Sequence, residues 1–286
     1  MAEVEKAEKI QSKGKKKVSM PKPSIESCDI HVPFEAGCTM MIAGPTGCGK
    51  TFFVKKLLTG KNNFTQPVRN ILYCYGVYQP LFNEMRRTIP NIEFHKGLPE
   101  TSEIELLSST KHFDIIVLDD LMERIVNSLS AQELFTKFCH HYNISTIYLS
   151  QNVFAQGKCS KTISLNTLIL VLFPNHRDQS QIMILARQQS PRSPDLFLEA
   201  FEDATQMPYG YLVVDCTPKC PEYLRWRSSI FKGDKKAPKG KSYSVQQWSP
   251  HLYKIDSNCS LKHKEIPQIL SHSRKVTKRL QQKTLK

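Results

Sequence analysis

No stretch of this chain approaches the roughly 20 consecutive apolar residues of a bilayer-spanning helix, which excludes a helical membrane span. Its opening residues, Met1-Ala2-Glu3-Val4-Glu5-Lys6, carry no apolar core of a secretory signal, so an intracellular protein is expected. The nine cysteines include no Cys-x-x-Cys pair. Cys216 and Cys220, with Cys139 beside His140 and His141, have the wrong spacing for a zinc finger; reduced thiols that pack as small hydrophobes are expected. No segment repeats. Acid is scarce as well, but only at the ends. Residues 1–23 hold seven lysines against three acids, and residues 232–286 hold fourteen basic residues against three acids. Between them the balance is nearly even, nineteen basic against twenty acidic, although the whole chain of 286 residues carries +14. The organisation expected is a disordered basic segment (1–24), one globular domain (25–231) and a basic, largely flexible tail (232–286). Such tails bind polyanions through counterion release, act as nuclear import signals (Lys15-Lys16-Lys17 is a candidate), or only keep a protein in solution.

What is present is organised around Gly44-Pro45-Thr46-Gly47-Cys48-Gly49-Lys50-Thr51. The apolar run Cys38 to Ala43 precedes it and Phe52 to Leu58 follows, which reads as strand, glycine-rich turn and helix. The eight residues satisfy G-x-x-x-x-G-K-[ST], the phosphate-binding P-loop. Its backbone N–H groups converge on one anion, and the positive end of the helix lies beneath. Lys50 is expected to reach the β- and γ-phosphates of ATP, and the Thr51 hydroxyl to hold Mg²⁺.

About 70 residues on comes Phe113-Asp114-Ile115-Ile116-Val117-Leu118-Asp119-Asp120, an apolar strand ending in two acids as in a Walker B motif. Asp119 is expected on the metal, and Asp120 where a base orients the attacking water. Further buried strands are expected at 70–75 and 144–149, a short one at 92–94, and one at 165–173. Helices are expected at 79–89, 103–109, 130–142, 179–188 and 195–205, a polar loop at 153–164, an edge strand at 29–34, and closing antiparallel strands at 209–215 and 222–230. Gln151, just past the strand at 144–149, is either a γ-phosphate sensor or an ordinary strand-end cap. The alternation of strands and helices implies an α/β P-loop NTPase, a mainly parallel sheet covered by helices, of the additional-strand RecA/ASCE-like type. A guanine-reading Asn-Lys-x-Asp is missing, which argues against a GTPase. A small-acceptor kinase, a motor and a nucleotide-switched nucleic-acid-binding protein stay open at this level.

The combination of the P-loop, Val117-Leu118-Asp119-Asp120 and Leu149-Ser150-Gln151-Asn152 resembles the FtsK/HerA-type ATPases. With Ile163-Ser164-Leu165-Asn166, Leu185-Ala186-Arg187-Gln188 and Tyr209-Gly210-Tyr211-Leu212, the resemblance is nearest to the genome-packaging ATPases of Polinton/Maverick elements and adintoviruses. Many members of the wider class have Glu where this chain has Asp120. The resemblance implies an ATP-driven motor that threads double-stranded DNA into a capsid as a homo-oligomeric ring, in the host nucleus or with the virion. Such a ring needs a cation supplied across the subunit interface. Arg187, and Arg177 after it, are the candidates; the alternative for Arg187 is a surface ion pair with Asp178.

Overall fold

The computed structural model describes residues 32–110, 112–231 and 234. The basic segments expected at 1–24 and 232–286 lie outside these residues, Asp234 apart. The chain runs β1 (Thr39–Ala43), α1 (Lys50–Thr59), β2 (Ile71–Tyr75), α2 (Leu81–Thr88), β3 (Ile92–Lys96), α3 (Thr101–Thr110) and β4 (Ile115–Asp119). There follow α4 (Met122–Ile125), α5 (Leu129–Glu133), a wide π turn (Leu134–Phe138), α6 (Cys139–His141) and β5 (Ser145–Ser150). The domain closes with α7 (Ser160–Leu165), β6 (Ile169–Leu172), α8 (Ser180–Gln189), α9 (Pro194–Thr205), β7 (Leu212–Asp215) and the two-residue β8 (Trp226–Arg227).

The eight strands form one sheet in the order β3-β2-β4-β5-β1-β6-β7-β8, in which β7 alone runs antiparallel to the rest. A parallel sheet is covered on both faces, so its strands are continuously apolar; β1 and β4 are buried at every residue. Side chains alternate between the faces. Met40, Ile42, Tyr73, Val117, Leu149 and Val171 pack with α1 and α2 through Phe53, Val54, Leu57, Phe82 and Met85. Met41, Leu72, Leu118, Tyr148 and Leu172 pack with Leu134, Phe135, Phe138, Leu185 and Phe197 on the other face. β5 separates β1 from β4, which is the additional strand of the RecA/ASCE-like P-loop type, as expected.

Several local expectations need correction. Of the edge strand expected at 29–34, only residues 32–34 are described, and Phe34 alone makes a bridge, to Phe64. Pro33 has no N–H to give to a ladder. The expected helix at 130–142 is interrupted by its π turn, whose wider spacing lets Leu134, Phe135 and Phe138 all be buried. The polar loop at 153–164 contains α7, which buries little beyond Ile163 and so shows no periodicity in sequence. The strand expected at 165–173 is shorter, because Leu165 still belongs to α7 and Asn166 caps that helix. In place of a strand at 222–230 there is a 3₁₀ turn, Glu222–Leu224, and then β8.

The last described residue closes the domain from below. Asp234 accepts from Lys56 Nζ on α1 at 2.7 Å and from the buried Tyr211 hydroxyl at 2.5 Å. Phe231 stands edge-on to Phe53 of α1, with ring centroids 5.0 Å apart.

Candidate nucleotide site

β1, β4 and β5 all end at one edge of the sheet, with Ala43 in register with Ser150. Beyond Ala43 the chain makes the glycine-rich turn and enters α1 at Lys50. Gly49 has φ +104°, a left-handed angle that a side chain would strain. Lys50 folds back over the loop, where Nζ donates to Gly44 O at 2.7 Å and to Pro45 O at 2.9 Å. Burial pulls its ammonium below the usual lysine value, against the opposing pull of Cys48, Asp119 and Asp120. A cation so placed is held ready for an anion rather than spent on an ion pair.

Asp119, the last residue of β4, is 5% exposed. Its Oδ2 accepts from Tyr73 OH at 2.7 Å and from Thr51 Oγ1 at 3.3 Å. Burial raises its pKa, and the two hydroxyls partly offset that. The fold therefore brings together the two residues expected to hold Mg²⁺. One hydroxyl and one carboxylate suit an ion that takes oxygen ligands and keeps positions for phosphates and water. Among the described residues no cluster of three or more His, Cys, Asp or Glu could hold a metal by itself. Among the described residues the cysteines 38, 48, 74, 139, 159, 216 and 220 are free thiols.

Asp120 follows with φ +55°, an angle that Asp tolerates better than most residues, and its side chain is exposed. The strand-end turn fits because Gly76 lies against it: a Cβ on Gly76 would stand 2.1 Å from Asp120 O. Gln151 is exposed at the tip of β5. The cap at that strand end is Ser150, whose hydroxyl donates to Asn152 O at 2.6 Å and accepts from Asn152 N–H at 3.2 Å. Gln151 is left with its side chain uncommitted to the turn.

The two candidate arginines are both on the surface. Arg177 lies exposed in the loop after β6, and Arg187 lies exposed on α8 near the exposed Met183 and Ile184. The ion pair of Arg187 with Asp178 is absent among the described residues. Asp178 instead accepts from Ser180 Oγ at 2.5 Å and from Gln181 Nε2.

Two residues escape the sequence reading. Tyr73 sits inside an apolar strand, where a hydroxyl has to find a partner, and that need was the available signal. Tyr209 belongs to the run Tyr209-Gly210-Tyr211-Leu212 that carries the resemblance, but only the folded chain sets it beside Gly49.

Order of strands, glycine-rich turn, Lys50, Thr51 and Asp119 together define an α/β P-loop NTPase fold. Neither a protein-family profile nor a curated protein matches the sequence. Among solved structures the chain is similar to the genome packaging NTPase B204 of Sulfolobus turreted icosahedral virus 2 in complex with ATP-gammaS. That likeness has 10% identity and a TM-score of 0.45, over 68% of this chain and 97% of that one. It is also similar to B204, the DNA-packaging ATPase of Sulfolobus turreted icosahedral virus, with 10% identity, a TM-score of 0.47, and coverage of 67% and 96%. A KaiC-like protein from Pyrococcus horikoshii OT3 is similar at 12% identity and a TM-score of 0.33, over 48% and 73%. At these distances the fold assignment rests on the strand order itself.

Proposed function

We propose that this chain is an ATP hydrolase that drives double-stranded DNA into a capsid as a homo-oligomeric ring. The observation that carries the hydrolase is the convergence of Lys50, Thr51 and Asp119 at one sheet edge, with Asp120 and Gln151 flanking them. Packaging comes from the combined motifs, which resemble FtsK/HerA-type ATPases of Polinton/Maverick elements and adintoviruses. No helix among the described residues is long and apolar enough to cross a membrane. Work on DNA in a host nucleus, or at the virion, goes with the basic segments at both ends.

In this reading the loop N–H groups and Lys50 hold the phosphates. Thr51 and Asp119 would hold Mg²⁺, which would supply neutralisation of the charge that develops on the phosphates. Asp120 takes the proton of the attacking water, which Gln151 helps to orient. In a ring, the charge left on the transferring phosphate falls to Arg187, or to Arg177, of a neighbouring subunit.

The test is ATP hydrolysis by the purified chain with and without linear duplex DNA. Hydrolysis that rises with DNA is expected. No hydrolysis sinks the enzyme, whereas DNA-independent phosphoryl transfer to a small acceptor makes it a kinase. Asp120→Asn is expected to keep ATP binding while slowing turnover by about 10²–10⁴-fold; an equal loss of binding would move Asp120 to the metal. Mixing Arg187→Ala with Lys50→Ala subunits should restore partial activity to two inactive proteins. Normal hydrolysis by Arg187→Ala with DNA present would pass the role to Arg177.

A further inference from the structure

β4 and β5, which carry Asp119, Asp120 and Gln151, lie on one side of the P-loop strand; β6 and β7 lie on the other. A nucleotide whose γ-phosphate meets those three residues has its nucleoside end directed to the β6–β7 side. The residue waiting there is Tyr209, in the turn between α9 and β7. β7 is antiparallel, and its first residue Leu212 is in register with Leu172, the last of β6. The turn before β7 is thereby set at the P-loop edge. A methyl built on Gly49 would stand 3.3 Å from Tyr209 Cδ1, which measures how close the ring comes to the loop.

Three features mark this tyrosine as held for something. The residue is 71% exposed, although it is a large aromatic. Its backbone has φ +64°. Asn and Asp adopt that angle with little strain, but for a bulky residue it is strained, and such strain gathers at ligand clamps. The turn around it is fixed. Gly210 N–H donates to Met207 O at 2.8 Å, and a Cβ on Gly210 would meet Ala204 O at 2.5 Å. Tyr211 beyond is buried against Phe53, with centroids 4.8 Å apart, and its hydroxyl is tied to Asp234. Phe173, the other aromatic beside Gly49, is 3% exposed and forms the floor. Of the two rings, only that of Tyr209 offers a face.

We propose that Tyr209 is the platform on which the base of the bound nucleoside triphosphate stacks, with Gly49 kept bare so that ring and base can meet over the loop. The inference rests on the nucleotide reading above and adds where the base lies. Stacking on one ring tolerates any base, because every base has a π face. Little discrimination between ATP and GTP at the binding step therefore follows.

The experiment compares dissociation constants of the full chain for ATP, GTP and inorganic tripolyphosphate, a probe with the phosphates but no base. Tyr209→Ala is expected to weaken ATP and GTP by about 5- to 150-fold and to leave tripolyphosphate unchanged. Tyr209→Phe, which keeps the ring, is expected to bind all three like the wild type. Unchanged ATP affinity in Tyr209→Ala overturns the platform while leaving the nucleotide site standing, and so does equal weakening of ATP and tripolyphosphate. A wild type that binds none of the three overturns both readings. Should Tyr209→Ala fail to fold, 2-aminopurine riboside triphosphate bound to the wild type decides the matter. Quenched fluorescence supports stacking, and bound but unquenched probe overturns it.

Discussion

Asp119 and Asp215 are both buried aspartates at the last position of a strand, 5% and 7% exposed, but they sit at opposite edges of the sheet. At the amino edge, Asp215 is saturated. Arg227 Nη2 donates to it at 2.8 Å, and Thr217 donates from its N–H at 3.1 Å and its hydroxyl at 2.6 Å. At the carboxyl edge, Asp119 receives only two neutral hydroxyls, while the nearby cation, Lys50, is turned to the loop carbonyls. A buried charge kept for stability is matched within the chain; one kept for chemistry is left to be matched by a ligand.

Exchanging the two cations breaks the comparison most sharply. Lys50→Ala is expected to lower ATP turnover by on the order of 10³-fold with little change in melting temperature. Arg227→Ala should do the reverse, melting early while its folded fraction still turns over. Equal thermal losses in the two would erase the distinction. Next come the carboxylates. Asp215→Asn leaves Arg227 facing an amide, with its Nε and Nη1 already unpartnered, and should cost about 3–5 kcal/mol, or about 10 °C in melting temperature. Asp119→Asn should melt no lower than wild type in the absence of nucleotide, and should lose Mg²⁺-dependent turnover. If it melts well below wild type, Asp119 is structural after all.

The pH dependence sharpens the same point. Burial raises the Asp119 carboxyl above the ordinary carboxylate value. A raised folded pKa means that the protonated form stabilises the fold below the unfolded value, and that this contribution is lost as pH rises through the folded one. Asp119→Asn does not titrate, so its melting temperature relative to wild type should climb across that interval and then level off. A difference that does not vary with pH would show that folding leaves the Asp119 carboxyl unshifted. The smallest effect belongs to Tyr73→Phe, which removes one hydrogen bond worth about 0.5–1.5 kcal/mol. It should weaken Mg²⁺–ATP affinity by less than tenfold and leave turnover at saturation nearly intact; a collapse of turnover would give Tyr73 a direct part in the chemistry.

These two edges were not equally legible in the sequence. The P-loop and the strand ending in Asp119-Asp120 are local patterns, and the alternation of apolar runs with amphipathic helices was enough to expect the parallel sheet. The place of β5 between β1 and β4 was expected only as part of the fold type. What stayed hidden depends on pairing across distance. Tyr73 meets Asp119 over 46 residues, and Asp215 meets Arg227 only because β7 and β8 turn back on each other. Arg227 falls in the closing strand expected at 222–230; in the fold its side chain is 10% exposed, with its guanidinium over the Phe34 ring. The π turn was illegible for another reason, since its residues satisfy an α-helical period as well.

Asp234 ties two separate parts of the site's scaffold together. It contacts Lys56, six residues beyond Lys50 on the same helix, and Tyr211, two residues beyond Tyr209. A single carboxylate thus staples the helix that starts at Lys50 to the turn that holds Tyr209.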